Sequence, residues 1–187
     1  MIDEAMEYIR REVRDYLGIA DNEASVGHIH ELKDTLTTPG LRIGLVNLSE
    51  ESALRNSNHV VRNNAGQVEY KEPPVYVNCW LLFGFDFSDY GTSLLRLSQT
   101  VEHFQNKRFF DQNNEGVGNP FPATIERLIF DMHSADFEQL NHLWGIMGGT
   151  YFPSVMYKMR LLRVQADVSV SGPEITHLEV NTRFKAQ

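Results

Sequence analysis

The chain has 187 residues, 42% of them hydrophobic, enough for one sizeable core and too few for two comfortable domains, so a single domain over residues 1–187 is expected. A formal net charge of −8 argues against general affinity for nucleic-acid phosphates, which requires clustered Lys and Arg, and pairs such as Arg10-Arg11 and Lys107-Arg108 read as solvated helix faces. No segment approaches the roughly 20 apolar residues of a membrane helix, Asp3 and Glu4 stand where a signal peptide would be basic, and the single thiol, Cys79, excludes an internal disulfide and a cysteine-based zinc site, so a cytoplasmic protein without a membrane partner is expected.

Ile2, Met6, Ile9, Val13 and Leu17 recur at helical spacing, with Glu4, Arg10, Arg11 and Arg14 elsewhere on the wheel, and Gly18 supplies a stop. After a mixed segment, Leu41 to Leu48 is short and rich in branched apolar residues, which predicts a strand. From about residue 50 to 72 the chain is polar and carries several Asn, so it reads as a mobile loop or a long hairpin arm, ended by Pro73-Pro74. Val75 to Phe85 then presents Val75, Val77, Cys79, Leu81, Phe83 and Phe85 on one face and Tyr76, Asn78, Trp80 and Leu82 on the other. A strand apolar on both sides belongs in the middle of a sheet.

Tyr90, Leu94, Leu97, Val101 and Phe104 return to helical period. A glycine- and asparagine-bearing loop follows, then an apolar run from Ile125 to Met132 read as a strand. Ser134 is placed to cap a third helix whose buried stripe is Phe137, Leu140, Trp144 and Met147 and whose stop is Gly148-Gly149. Alternation from Val155 to Leu161 and a Ser171-Gly172-Pro173 turn into Ile175 to Val180 predict a C-terminal antiparallel hairpin. The whole reads as α+β (mixed α/β): a central mixed sheet packed by about three helices.

Catalytic patterns are weak. Gly116-Val117-Gly118 and Gly148-Gly149 lack the strand–loop–helix setting and the following Lys-Ser/Thr of a phosphate loop. His28, His30, His133 and His142 match no zinc spacing, so no metal or cofactor is expected. Cys79 lies in the most apolar strand, where burial makes a thiol inert, no Gly-x-Ser-x-Gly elbow occurs, and Glu50-Glu51 are adjacent in sequence and therefore diverge in direction. Trp144 and Tyr151 are the aromatics with a possible binding role, though a tryptophan on an apolar helix stripe usually points inward. A small-molecule enzyme is thus the weaker reading, and an interaction protein the stronger.

Five further blocks occur in order: Leu41-Arg42-Ile43-Gly44-Leu45-Val46-Asn47-Leu48-Ser49-Glu50-Glu51 with Arg55-Asn56, Pro73-Pro74-Val75-Tyr76-Val77-Asn78, His103-Phe104-Gln105-Asn106, Leu140-Asn141-His142-Leu143-Trp144-Gly145, and Gly148-Gly149-Thr150-Tyr151-Phe152-Pro153-Ser154 leading on to Arg160. Together they closely resemble the N-terminal domain of the cap proteins, or tail terminators, of phage-tail-like contractile injection systems. The resemblance covers most of the chain and weakens after about Val164. It implies a tail-terminator-like α/β fold, assembled as a six-fold ring at the end of the tube and sheath distal to the baseplate, with tube and/or sheath proteins as partners and no catalytic residues. Of the further C-terminal domain that such proteins often carry, this sequence has at most the short stretch after Val164. A monomeric or dimeric adaptor or chaperone of another tail component is the alternative. The candidate interface residues are Arg55 and Asn56 on the polar arm, where an arginine can bridge to a neighbour's carboxylate, together with Trp144 and Tyr151.

Overall fold

A computed structural model describes residues 1–28, 38–51, 60–62, 68–71, 74–146, 151–164 and 169–171. Helix α1 (Ile2–Leu17) forms as its spacing requires, with Met6, Ile9, Val13 and Leu17 buried, and ends at Gly18, whose left-handed φ of 62° suits a residue without a Cβ. Arg10, expected on the solvated side, is buried instead. Its guanidinium donates to both carboxylate oxygens of Glu7, to Asp21 Oδ1 at 2.8 Å and to the Ala24 carbonyl at 3.1 Å, and these contacts, Glu7 first, hold its pKa above the ordinary value. A buried cation is tolerated there because each of its three nitrogens has an acceptor, and the contacts tie α1 to the next strand.

Six strands make the main sheet: β1 (Ala24–Val26), β2 (Gly40–Glu50), β5 (Val75–Asp86), β6 (Phe109–Phe110), β7 (Leu128–His133) and β8 (Ser154–Val164). Their order is β1-β2-β5-β8-β7-β6; β1 runs parallel to β2 and all other pairs are antiparallel. Gly40 opens β2 because the chain passes so close to the preceding turn that a Cβ there would lie 2.1 Å from the Glu23 carbonyl oxygen. Three short strands, β3 (Val60–Arg62), β4 (Val68–Lys71) and β9 (Ser169–Ser171), form a second antiparallel sheet. The polar stretch at 50–72 thus contains a paired hairpin among its described residues.

β5 is central, as its two-sided pattern predicts. Cys79, Leu81, Phe83 and Phe85 join α1, Phe104, Phe110, Leu128 and Phe130 in the main core, while Leu82 turns to the other face and packs with Trp144 and Phe152. Each such buried side chain contributes roughly 1.5–3 kcal/mol. Helices α1 and α2 (Tyr90–Asn106) therefore cover one face, and α3 (Phe137–Ile146) covers part of the other.

Four further details differ from the sequence reading. On α2 the buried residues are Ser93, Thr100, His103 and Phe104, whereas Tyr90 and Leu94 are exposed. The Ser93 hydroxyl accepts the Phe87 N–H and Thr100 donates to the Arg96 carbonyl, so small residues with satisfied hydroxyls bring the helix close to its neighbours. The apolar row and the packed row are not the same row. On α3, Asp136 rather than Ser134 closes the N-terminus: its carboxylate accepts the Gln139 N–H at 2.8 Å, and Gln139 Oε1 accepts the Asp136 N–H, a reciprocal capping box. Phe137, placed on the buried stripe by spacing, is 92% exposed. The strand expected from Ile125 begins at Leu128, and Ile125 is buried in a turn. The return strand expected at 175–180 lies outside the described residues; over Ser154–Arg160 the neighbours of β8 are β5 and β7.

Candidate functional site

The α3 face of the sheet carries an aromatic surface. Leu140, Leu143 and Trp144 turn inward from α3 onto Leu82, Met156 and Val46. Trp144 is only 6% exposed and sits between two rings, Phe152 at 6.0 Å and Tyr151 at 5.4 Å in an edge arrangement. Tyr151 itself is 62% exposed. The two aromatics singled out by sequence are therefore brought together in different roles: Trp144 is the packed base and Tyr151 the accessible cover. Arg55, Asn56, Met147 and Gly148-Gly149 lie outside the described residues.

Beside this stack is an open groove of about 410 Å³, lined by Val46, Asn47, Trp80, His133, Leu143 and Met156 among others. Its shape depends on an irregularity in β2. Leu45 pairs with Leu81 and Asn47 with Trp80, so Val46 is an extra residue on its strand. Such a bulge resets the alternation: Val46 and Asn47 both serve the groove, and Leu48 returns to the opposite face across from Cys79. Trp80 forms the floor, with His133 edge-on at 4.5 Å and Lys158 Nζ 5.6 Å above the ring. A cation over an indole face is an attractive pair. Glu51 reaches Lys158 at 4.0 Å and accepts from Asn78 Nδ2 at 3.1 Å, while Arg160 pairs with Asp131 at 2.9 Å further along the same side.

The chemistry available here is that of contact. Rings, a thioether and paired charges at a rim match the make-up of protein interfaces, in which aromatics anchor and polar groups orient. Two reactive groups elsewhere are withdrawn from solvent. Cys79 is fully buried, and burial pushes its thiol up to about 11. His103 is buried beneath α1 and pulled down to about 4 by loss of water, despite Glu12 nearby. His28 and His142 are exposed, His133 packs on Trp80 and His30 lies outside the described residues. Among the described residues no group of three or more His, Cys, Asp or Glu could hold a metal ion. Gly116 and Gly118 belong to a tight turn in which the Asn119 N–H donates to the Gly116 carbonyl, with Gly118 at φ 84°. No helix among the described residues is long and apolar enough to cross a membrane.

Trp80, His133, Met156 and Lys158 are not among the interface residues that the sequence suggests. Trp80 alternates with Leu82 on the second strand face, which signals that this face is covered, but only the bulge in β2 and the position of α3 show that the cover stops short of Trp80.

The model of the Pvc16 N-terminal domain matches residues 4–177. No curated protein matches the sequence. Two solved structures share the fold: the sheath/tube terminator of an extracellular contractile injection system, PVC, in its extended state, at TM-score 0.64 and 16% identity over 100% of this chain, and the tube-terminating cap of the anti-feeding prophage, at TM-score 0.64 and 17% identity over 97% of this chain. The chain spans 64% and 61% of the lengths of those two proteins.

Proposed function

The chain belongs to the Pvc16 N-terminal domain family, and from that premise we propose that it is a structural cap, or tail terminator, of a contractile injection particle. Membership over residues 4–177 carries the proposal; the fold shared with two terminators and the aromatic groove on the α3 face support it. In this reading six copies close into a ring at the end of the tube and sheath distal to the baseplate, assembled in the cytoplasm. The role involves no catalysis.

The physics of the role is geometric. A tube grows because each ring leaves unpaired binding surface for the next, so a terminator matches that surface on one side and offers no equivalent on the other. Contacts that close into a ring consume the remaining complementary surface without any chemical step. The α3 groove, with Tyr151 exposed beside it, is the surface assigned to the neighbouring copy.

The test is to add the purified protein to tubes assembled from the tube protein and to image the ends. Closed six-fold rings at one end are expected. Protein that stays monomeric or dimeric in solution and never joins a tube end would favour an adaptor or chaperone instead.

A further inference from the structure

A second groove, about 440 Å³ in volume, lies on the opposite face of the sheet, between the C-terminal end of α2 and the outer edge of β7. Its floor is aromatic: Phe104 stacks on Phe130 at 4.7 Å and meets Tyr157 at 4.5 Å. Val101 and Met132 border it, and Met132 is 58% exposed.

One wall of this groove is an open strand edge. Among the described residues β6 pairs with Leu128 and Ile129 alone, and the Phe130 N–H then donates to the Arg108 carbonyl at 2.8 Å. Residues of an antiparallel strand alternate the side to which both backbone groups point. Because Phe130 points outward from β8, so does Met132, two residues on. Its N–H and C=O lie beyond the end of β6, with no described strand against them.

The groove is also bordered by an unused charge. Outside the short second sheet, every other described Lys or Arg side chain has a partner, whether a carboxylate, a carbonyl or another group. Arg108, exposed at the groove, has none among the described residues. In a chain of net charge −8 that is a cation left for an incoming anion.

Each of these features selects part of an occupant. The strand edge takes an extended segment, since a helix has no free backbone groups to offer it. The floor takes a large apolar side chain, and Arg108 takes a carboxylate. Resting on the terminator reading, in which both solved relatives end a tube, we propose that this groove receives an extended segment of the terminal tube subunit that carries a large apolar residue next to an acidic one.

The experiment places a photoreactive benzoylphenylalanine at Gln105, which lines the groove, and at Ser98, an exposed α2 residue outside it, in particles assembled with the tube and sheath proteins. The expected result is an adduct from position 105, not 98, to one tube segment of apolar–acidic character. Arg108→Glu, verified as folded by its melting curve, should lower that adduct by about tenfold, the scale of one lost charge-assisted contact. The proposal is overturned by particles that carry the chain at their ends but give no adduct. An adduct to sheath, to a second copy or to the chain's own residues overturns it equally, as does one indifferent to Arg108→Glu. A chain absent from particle ends would defeat the terminator reading and this assignment together; a chain at the ends with a silent groove defeats this assignment alone.

Discussion

At the scale of single residues the fold buries Cys79 and His103, and His103 carries a measurable consequence. Burial lowers its pKa to about 4 in the folded protein, below the ordinary value of 6.5. Between those values the unfolded chain binds a proton that the folded chain does not, so stability falls as pH drops from about 6.5 to about 4 and rises again with pH. The full effect is on the order of 3 kcal/mol. Urea unfolding across that window should show the slope in the native sequence and lose most of it in His103→Phe; an unchanged slope in the variant would mean that other groups carry it. The burial of Cys79 was legible because its strand neighbours at spacing two are all apolar. That of Arg10 was not, because charge alone suggests solvent, and only Glu7, Asp21 and the Ala24 carbonyl, one of them eleven residues away and another fourteen, make a dry site acceptable.

At the scale of elements, sequence pattern works where one face of an element meets one kind of surface. Helix α1 lies on the core along its length, and its stripe of Met6, Ile9, Val13 and Leu17 reads directly. Helix α2 misleads because hydroxyls and His103 occupy its packed side, leaving Tyr90 and Leu94 outward. β1 and β6, of three and two residues, are too short to carry a period at all. The candidate site was legible only as two aromatics, since the groove beside them needs the β2 bulge, Trp80 and α3 from three separate stretches of chain. Their contrasting burial separates stability from assembly. Trp144→Ala should cost about 3–5 kcal/mol, because a buried indole leaves a cavity. Tyr151→Ala should cost no more than about 1 kcal/mol and still weaken ring formation. Thermal melts alongside ring imaging distinguish the two, and normal rings from the folded Tyr151→Ala protein would remove this face from the interface.

At the scale of the whole molecule, the two covered faces of the main sheet end in different surfaces: an aromatic groove with paired charges on the α3 side, and, on the α2 side, an aromatic floor with a strand edge and an Arg108 that have no partner among the described residues. Two dissimilar surfaces are what a terminator needs, one for its own ring and one for the polymer it stops. The ordered sequence blocks point to this fold, while the difference between the two faces depends on where helices end on the sheet, which no local pattern encodes. The claim that the chain stops polymerisation is tested most directly by the length of particles made without it. Electron microscopy of particles from cells lacking this chain should show tubes and sheaths of scattered, mostly excessive length, restored to one length by the native protein; an unchanged length distribution with normally finished ends would contradict the account.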